Sequence, residues 1–520
     1  MSDATTLTTS TKQRKAVLKV MCIALMMVVA SVASLNVALP GIADDTGATQ
    51  TQLQWIVDAY SLTFAALLLP AGALGDRWGR KPILAFGVSL FGLASFAAIF
   101  AHSAGQLIGL RALMGVAAAF TMPVTLSVIT TIFPREERGK AVGTWVGVAA
   151  GGAVLGLVAS GIVLQIFSSW QAVFGLNVLM AAIALLGTLK IVPATRESRP
   201  PRLDPVGTLL SVGGLAALVF GIIEGPERGW SDTLTASALA AGVIALVAFV
   251  LWELRRDEPM LDPRNFLRRG FGAGSLSITV QFFAAFGFLF LALPYLQEIQ
   301  GFSPLKSAAA LLPMAVVVIP LSRVSPRIAA RVGVRVTNAV GLSSMAIGFL
   351  ILSQLDAGSS YWHFVAGLLP FGAGMALAGS PATTAIVASL PRSKQGVASA
   401  MNDVSRELGG ALGIAVLGSL LNAAYRSSIA SSVKALPSSL ADKATESYTA
   451  AQAVGQQMGG EQGHALVSSA QDAWMHGLSR GLTFGAVMLI GGAIFVAFRA
   501  PGRAESMANA GGPQPAPAQA

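Results

Sequence analysis

The chain alternates between long apolar runs and short polar segments along most of its 520 residues. A helix that crosses a bilayer needs about 20 mostly apolar residues, and about fourteen runs approach or exceed that length. Such runs predict an all-α polytopic membrane protein rather than a soluble fold. The predicted spans are 17–42, 52–73, 82–101, 106–132, 141–165, 171–191, 205–223, 235–253, 271–294, 305–322, 336–354, 362–389, 396–421 and 478–498.

The basic residues fall mainly in alternate loops between these spans. With the N-terminus in the cytoplasm, roughly 27 of the Lys and Arg residues lie in cytoplasmic loops or tails and about 5 lie outside, which is the bias that orients membrane proteins. The opposite loops are acidic or neutral. Because the number of spans is even, the pattern predicts that both termini are cytoplasmic.

Composition agrees with a bilayer protein and excludes several other classes. Hydrophobic residues make up 54% of the chain and charged residues 12%, about half the charged share of a soluble protein. The net charge of +10 is spread over short loops rather than gathered in one segment, which argues against nucleic acid as a partner. Cys22 is the only cysteine, so an intrachain disulfide and a thiolate metal site are excluded. The basic N-terminus and first apolar run are expected to form an uncleaved helix.

Six spans precede residue 192 and six follow residue 271, with a pair between them, which indicates two six-helix bundles around a central pathway. Within the second bundle, 422–476 is expected to form a long extracellular loop, either solvated with some helix or folded over the outer mouth. The predicted divisions are a cytoplasmic N-terminal tail (1–16), an N-terminal six-helix bundle (17–192), an inserted helix pair with its cytoplasmic loops (193–270), a C-terminal six-helix bundle (271–499) and a disordered cytoplasmic tail (500–520).

A dense charged segment, GALGDRWGRK at 72–81, separates the second and third spans. Glycines in this position allow helices to approach closely, and the acid can accept hydrogen bonds from a helix N-terminus. The bases are expected to pair across the bundle. The segment is therefore interpreted as a clasp that holds helices together at the membrane surface, formed by Gly72, Gly75, Asp76, Arg77, Gly79, Arg80 and Lys81.

These features resemble the major facilitator superfamily, and in particular its fourteen-helix drug:proton antiporter branch. Segment 72–81 matches the superfamily pattern G-x-L-a-D-r-x-G-r-k, and a weaker echo of it stands at 322–333. Residues 36–40 (NVALP) match the end of the branch's first-helix pattern, l-D-x-T-x-x-N-V-A-L-P. The resemblance implies multidrug or antibiotic efflux in exchange for protons by alternating access, across the cytoplasmic (inner) membrane of a bacterium.

Two ionisable residues enter the predicted membrane from the outer side at a similar depth. Asp58 lies about six residues into the second span, which is roughly 9 Å from its outer end. Arg111 lies in a segment that resembles the superfamily element l-x-x-x-R-x-x-q-G, which is associated with proton transfer; Met114 replaces its polar residue. The two are expected to form either an ion pair that protonation of Asp58 would weaken, or a static pair, or two residues that reach back to the surface.

A second group of charges lies in the thirteenth span. Asp403, Arg406 and Glu407 have spacings of three and four, which place them on one helical face about 10–17 Å from the cytoplasmic end. One negative charge remains after Arg406 is paired, so protonation of one acid would balance the group. Two interpretations stay open: a role in proton coupling, or an ion-pair network that closes the inner mouth.

The fifth span is rich in glycines at four-residue spacing, which lets helices approach closely. Segment 152–161 also resembles the antiporter element g-x-x-x-G-P-x-x-G-G, although Leu157 replaces the proline and Ser160 replaces a glycine. The packing glycines are Gly143, Gly147, Gly151, Gly152, Gly156 and Gly161.

A second departure lies in the first span. Counting back from Asn36, the branch's threonine falls on Ala33 and its acid on Ser31. The usual first-helix carboxylate is therefore absent, and Asp58 is its expected replacement. Both departures leave open a dedicated exporter of a single metabolite or lipid, with or without proton coupling.

Aromatic residues that could line a pocket for a small amphipathic substrate are Trp55, Phe282, Phe283 and Phe286, each of which could instead be packing or lipid-facing. The sequence contains no G-x-x-x-x-G-K-[ST] loop and no H-E-x-x-H motif, so it predicts neither an ATP-driven pump nor a metalloenzyme. We expect no cofactor and no metal. The expected partners are the lipid bilayer, a small substrate and protons, and the expected oligomeric state is a monomer.

Overall fold

The structure is a computed structural model that describes residues 10–48, 50–167, 169–195, 204–391, 394–434 and 436–502. Across those ranges the chain is almost entirely helical and contains no strand. The tail predicted at 500–520 lies largely outside the described residues, as does 1–9 of the predicted N-terminal tail.

Seventeen α-helices are found in the described ranges, together with a 3-10 turn at Pro263–Leu267 and a π-helical turn at Tyr295–Ile299. The helices are α1 (Thr11–Thr46), α2 (Gln50–Trp78), α3 (Arg80–Ile99), α4 (Ala104–Ile132), α5 (Arg135–Phe167), α6 (Gln171–Ile191), α7 (Pro205–Arg228), α8 (Thr233–Glu253), α9 (Arg269–Pro294), α10 (Pro304–Ala310), α11 (Leu312–Val332), α12 (Val334–Leu352), α13 (Tyr361–Ala388), α14 (Gln395–Ile429), α15 (Ser438–Glu446), α16 (Tyr448–Met458) and α17 (Gly460–Arg499).

Within the described residues, thirteen helical segments are long and apolar enough to cross a membrane, by length and composition. The one remaining predicted span, 141–165, corresponds to α5, which contains the shorter apolar stretch Leu155–Phe167. Many large apolar side chains are exposed, such as Leu93, Leu209 and Phe498, as expected for a surface that meets lipid. The prediction of a fourteen-helix membrane protein is confirmed.

The helices form two bundles that meet along two seams. In the N-terminal bundle α2 packs on α4, α1 on α5, and α3 on α4 and α6; in the C-terminal bundle α9 packs on α14, α12 on α13 and α17, and α11 on α13. Between the bundles α5 packs against α11, and α2 packs against α14. We call these contacts the α5–α11 seam and the α2–α14 seam.

The inserted pair, α7 and α8, lies against the α2–α14 seam. The two helices pack on each other, and α7 also contacts both α2 and α14. Asp204 caps the start of α7, where its Oδ1 accepts a hydrogen bond from Gly207 N at 2.9 Å, and Asp232 caps α8 in the same way. The pair therefore contacts a helix from each bundle.

The segment 422–476 is more ordered than the expected loop. Helix α14 runs on to Ile429 and α17 begins at Gly460, with α15 and α16 between them. The Tyr425 hydroxyl donates to Ala444 O at 2.8 Å, and Tyr295 stacks on Trp474 with 6.4 Å between ring centroids. Small apolar residues of α15 and α16 are buried, which supplies the driving force for this packing. The sequence allowed for some helix in this segment but did not locate it, because α15 and α16 are short and lack the long apolar run of a span.

The two bundles share one turn that explains the echo of 72–81 in the second half. Gly79 joins α2 to α3 with φ +102°, and Gly333 joins α11 to α12 with φ +97°. Residues with a side chain rarely adopt such angles, so glycine is favoured at both positions. The position three residues before the glycine is Asp76 in the first bundle and Ala330 in the second.

Candidate functional site

The clasp predicted at 72–81 joins the two bundles through Asp76. Its carboxylate is buried, and Oδ2 accepts a hydrogen bond from Gly396 N at 2.7 Å. Gly396 is in the first turn of α14, where backbone N–H groups have no partner inside the helix and the dipole is positive. Oδ1 accepts from Arg80 Nη2 at 2.9 Å. We call Gly72, Asp76, Arg80 and Gly396 the latch.

Glycine is required on both sides of the latch because the two helices touch through their backbones. A Cβ added to Gly72 would lie 2.4 Å from Gly396 O, and one added to Gly396 would lie 2.2 Å from Gly72 O. Ordinary contacts begin at about 3.4 Å, so neither position accepts a side chain without separation of α2 from α14.

Two of the bases of 72–81, Arg80 and Lys81, bond to other helices of the N-terminal bundle. Arg80 Nε donates to Ser127 Oγ on α4 at 2.7 Å. Lys81 Nζ donates to Leu189 O on α6 at 2.8 Å. Both side chains point back toward the helices that follow them in their own bundle. They hold Asp76 and its turn in place.

The other two glycines of 72–81 have a packing role and a turn role. A Cβ on Gly75 would lie 3.1 Å from a methyl group of Val124, which is a close but yielding contact. Gly79 provides the turn described above, and Arg77 is half-buried at the end of α2.

The charges predicted on α14 lie within a candidate membrane span, at the place where the bundles meet. Asp403 Oδ1 is 3.7 Å from Arg406 Nη1 and accepts a hydrogen bond from Asn402 Nδ2 at 3.3 Å. Thr383 on α13 donates to Asn402 Oδ1 at 3.0 Å. Among the described residues, Asp403 Oδ2 and two nitrogens of Arg406 have no hydrogen-bond partner. Unsatisfied charges at a buried site are costly, so this group is a candidate for function rather than for stability.

Aromatic rings surround the guanidinium of Arg406. Its Cζ lies 4.4 Å from the centroid of Phe282 and 5.8 Å from that of Trp145, so rings from both bundles face one cation. A cavity of about 10 Å³ opens here, which holds at most about one water. Its walls come from α5, α9, α13 and α14 and include Gln281 and Thr383.

Arg111 is buried in the N-terminal bundle and makes contacts that the sequence did not predict. Its Nε donates to Ile56 O at 3.0 Å, Nη1 donates to Ser31 Oγ at 3.2 Å, and its Cζ lies 4.4 Å over the ring of Tyr60. Ser31 stands where the antiporter branch has its first-helix acid, and it also accepts from Asn177 Nδ2 at 3.4 Å. The guanidinium therefore meets a hydroxyl at the position of that acid.

The expected ion pair between Asp58 and Arg111 is not formed in this structure. The contacts of Arg111 are with Ile56, Ser31 and Tyr60, and Asp58 is half-buried on α2. Equal depth along two helices was the basis of the expectation, and depth does not fix the side of the helix on which a residue lies. The coupling role of each residue stays a prediction.

Tyr60 links the charged groups of the two bundles. It is fully buried, its hydroxyl donates to Val28 O at 3.3 Å, and the Arg111 guanidinium lies 4.4 Å from its ring centroid. Glu407 of α14 is close enough for its charge to act on the phenol group. Glu407 is half-buried, and its charge also acts on Arg406, whose guanidinium faces Phe282. Arg406 therefore has two carboxylates of its own helix, Asp403 and Glu407, within electrostatic range.

The glycines of α5 face two different helices. Gly143, Gly147 and Gly151 meet α11, and a Cβ on Gly143 would lie 2.4 Å from Ser322 O. Gly152 and Gly156 meet α1, and a Cβ on Gly156 would lie 2.7 Å from Ala30 Cα. Gly161 meets Leu305 at the outer end, where its Cβ would lie 2.9 Å from Cδ1.

The four aromatic pocket candidates do not form one group. Phe282 lines the central cavity and lies 6.0 Å from Phe286, centroid to centroid. Phe283 instead packs on Phe484 of α17 at 6.4 Å, inside the C-terminal bundle. Trp55 contacts Phe220 of the inserted helix α7 at 5.8 Å. Of the four, Phe282 is the one beside Arg406.

Sequence reasoning missed Tyr60, Trp145 and Gln281. Gln281 is fully buried on α9, where Nε2 donates to Ser277 O at 3.0 Å and Oε1 has no hydrogen-bond partner among the described residues. A glutamine inside an apolar run was a usable signal, since polar groups in a membrane are expensive. The aromatic pair gave no such signal because aromatic residues are common in apolar helices.

Curated relatives of this chain are resistance and efflux proteins. The puromycin resistance protein pur8 of Streptomyces alboniger is 35% identical over 79% of this chain and 83% of its own length. The multidrug efflux pump LfrA of Mycolicibacterium smegmatis is 33% identical over 96% of this chain and 99% of its own.

Solved structures show the same fold. The crystal structure of the human organic anion transporter MFSD10 (TETRAN) matches with a TM-score of 0.62 at 15% identity, over 93% of this chain and 99% of that one. The family model described as Major Facilitator Superfamily matches residues 21–414. The protein is therefore a multi-pass membrane protein that belongs to the Major Facilitator Superfamily.

Proposed function

We propose that this protein is a secondary active transporter that exports amphipathic drugs or antibiotics across the bacterial cytoplasmic membrane in exchange for protons. The observation that carries the proposal is the group of incompletely paired charges on α14, held between aromatic rings where the bundles meet. The names of the relatives, a puromycin resistance protein and a multidrug efflux pump, support drugs as substrates. The protein acts as a monomer, without cofactor, metal or enzymatic activity, and does not bind nucleic acid.

The central group suits both a cation and a proton. Phe282 and Trp145 already face the guanidinium of Arg406, so a cationic amphipathic compound would meet the same kind of surface. Asp403 pairs loosely with Arg406 at 3.7 Å, and protonation of the carboxylate would weaken that pair. A substrate cation and a proton therefore compete for one negative charge, which is the requirement for exchange.

Alternating access follows from the two seams. When the latch is closed, Asp76 fixes the start of α14 against α2, and the cytoplasmic side of the pathway is shut. Opening toward the cytoplasm requires this buried, charge-assisted hydrogen bond to break. The energy for the change comes from differential binding of protons and substrate to the two states.

The test is accumulation of ethidium in inverted membrane vesicles under an imposed pH gradient. The variants are Asp403→Asn, Glu407→Gln and Asp58→Asn, with Asp442→Asn as the matched control, since Asp442 is an exposed carboxylate on α15 outside the spans. We expect Asp403→Asn to abolish gradient-driven accumulation and Asp442→Asn to leave it unchanged. Loss in Asp58→Asn alone would move the coupling role to Asp58, as the absent first-helix acid suggested.

A dedicated, uncoupled exporter of one metabolite or lipid is the second candidate. The observation that favours it is the contact of Arg111 with the neutral Ser31, where the branch has a carboxylate. Flux that is independent of the pH gradient in every variant would support this candidate and overturn proton exchange.

A further inference from the structure

Basic side chains border the cytoplasmic part of the α5–α11 seam on helices from both bundles. Arg323, Arg327 and Arg331 follow one another at four-residue spacing on α11, and all three are exposed. Lys15 and Lys19 have the same spacing on α1 and are also exposed. Residues four apart lie on one helical face, so each helix presents a basic stripe.

The two stripes lie on the same side of the seam. Neighbouring glycines of α5 meet the two helices: a Cβ on Gly151 would lie 3.0 Å from the Ile319 side chain of α11, and one on Gly152 would lie 3.0 Å from Met26 Sδ of α1. Arg323 is also close enough to Cys22 on α1 for its charge to act on the thiol. Cys22 is three residues after Lys19 and seven after Lys15, so the three share one face of α1. On α11, the residues immediately before Arg323 and Arg327 pack against the glycines of α5. The arginine face of α11 therefore lies beside the contact between α5 and α11, on the side of α1.

This face is at a depth where lipid surrounds the protein. Arg323 precedes the end of α11 at Val332 by nine residues, which is about 13 Å along the helix. Val316 lies on the same face and is 71% exposed, as a lipid-facing residue is. A charge exposed at such depth is costly unless its side chain reaches the interface and finds a counter-charge.

The described residues supply no carboxylate for these arginines. The side chains of Arg323, Arg327 and Arg331 form no hydrogen bond or ion pair within the described ranges. On α5, two carboxylates lie in the first turn, Glu136 and Glu137. Of these, Glu137 is paired with Arg14 at 3.2 Å. The stripe is therefore a concentration of uncompensated positive charge at the inner leaflet.

We propose that the α1 and α11 stripes form a binding site for the phosphate of an anionic phospholipid in the inner leaflet. Guanidinium groups bind phosphate with two parallel hydrogen bonds, and basic sites between helices on the cytoplasmic side suit anionic headgroups. Because α1 belongs to one bundle and α11 to the other, a bound lipid bridges them. It stabilises the state in which the cytoplasmic halves are together, by mass action.

The test measures phosphatidylglycerol binding to the purified full chain by native mass spectrometry, in phosphatidylcholine nanodiscs with and without phosphatidylglycerol. Each basic residue near an anionic surface contributes about fivefold in affinity, so Arg323→Gln with Arg327→Gln should weaken phosphatidylglycerol binding about 25-fold. The matched control is Arg255→Gln with Arg264→Gln, which removes two exposed arginines next to the inserted pair and should leave binding unchanged. Arg323→Lys with Arg327→Lys keeps the charge and should restore most of the affinity.

Several outcomes would overturn the proposal. One is equal retention of phosphatidylglycerol by the wild type and the double glutamine variant; another is an equal loss in the control. Displacement of the lipid by inorganic phosphate would assign the site to a soluble anion instead. If the double variant fails to fold, Lys15→Gln with Lys19→Gln tests the other stripe, and full retention there contradicts a shared site.

Discussion

Replacement of Gly72 by alanine should unlock the cytoplasmic side of the transporter. The added Cβ would lie 2.4 Å from Gly396 O, about 1 Å closer than an ordinary contact, and both partners at this point are backbone atoms that cannot rotate away. Helices α2 and α14 must therefore separate. Separation lengthens the hydrogen bond from Gly396 N to Asp76 Oδ2, now 2.7 Å.

The magnitude follows from that bond. A hydrogen bond to a charged group contributes about 1.5–3 kcal/mol, so its loss shifts the population from closed to open by about 10- to 150-fold. Gly75→Ala should have a smaller effect, because its Cβ meets a movable methyl group of Val124 at 3.1 Å. Gly109→Ala is the matched control, since nothing lies within 4 Å of its Cβ.

The assay is a distance distribution between spin labels at Glu136 and Ala388, two exposed cytoplasmic positions on opposite bundles, in a Cys22→Ser background. Gly72→Ala should add a population at longer distance, and the control should not. If Gly72→Ala kept the wild-type distribution and wild-type transport, backbone contact would not be what holds the latch closed.

Three further predictions concern other contacts. Gly156→Val should lower the free energy of unfolding by about 1–3 kcal/mol, seen as a lower thermal melting temperature, because a Cβ at this position would lie 2.7 Å from Ala30 Cα. Gly175→Ala should leave the melting temperature unchanged, since nothing lies within 4 Å of its Cβ. Arg111→Lys should reduce transport at least about tenfold although the charge is kept, because a lysine cannot bond to both Ile56 O and Ser31 Oγ. Wild-type flux in that variant would refute a role that depends on the shape of the guanidinium. Tyr425→Phe removes the hydrogen bond to Ala444 O and should lower the stability of the packed α15 by about 0.5–1.5 kcal/mol. The measurement is the rate of tryptic cleavage at the exposed Lys443, which should rise. An unchanged rate would mean that this bond does not hold α15 in place.

The fold was largely predictable because a bilayer requires an apolar run of about 20 residues in every spanning helix. Segment 72–81 was also readable, because glycines and charges that occur together at the end of a span are typical of helices in close contact at the membrane surface. The positions of α15 and α16 could not be predicted, because these helices depend on tertiary contacts such as that of the Tyr425 hydroxyl with Ala444 O. Such contacts leave no pattern in the sequence.

The site was predictable in its residues and less so in its partners. Asp403 and Arg406 were found because charges are rare in spans, and their spacing on one helix gave their pairing. The partners of Arg111 lie on α1 and α2, and one sequence does not give the rotation of three helices about their axes. The Asp58 pairing failed for that reason.

The difference between Asp76 and Ala330 makes the two seams respond to different conditions. At the α2–α14 seam an ionised carboxylate holds a helix end, so acidity that neutralises Asp76 would loosen it. At the α5–α11 seam the equivalent turn has no acid, and closure rests on glycines such as Gly143 against Ser322 O. That contact is steric and insensitive to proton concentration. A fall in cytoplasmic pH would thus free one edge of the interface while the other stays joined and serves as the hinge.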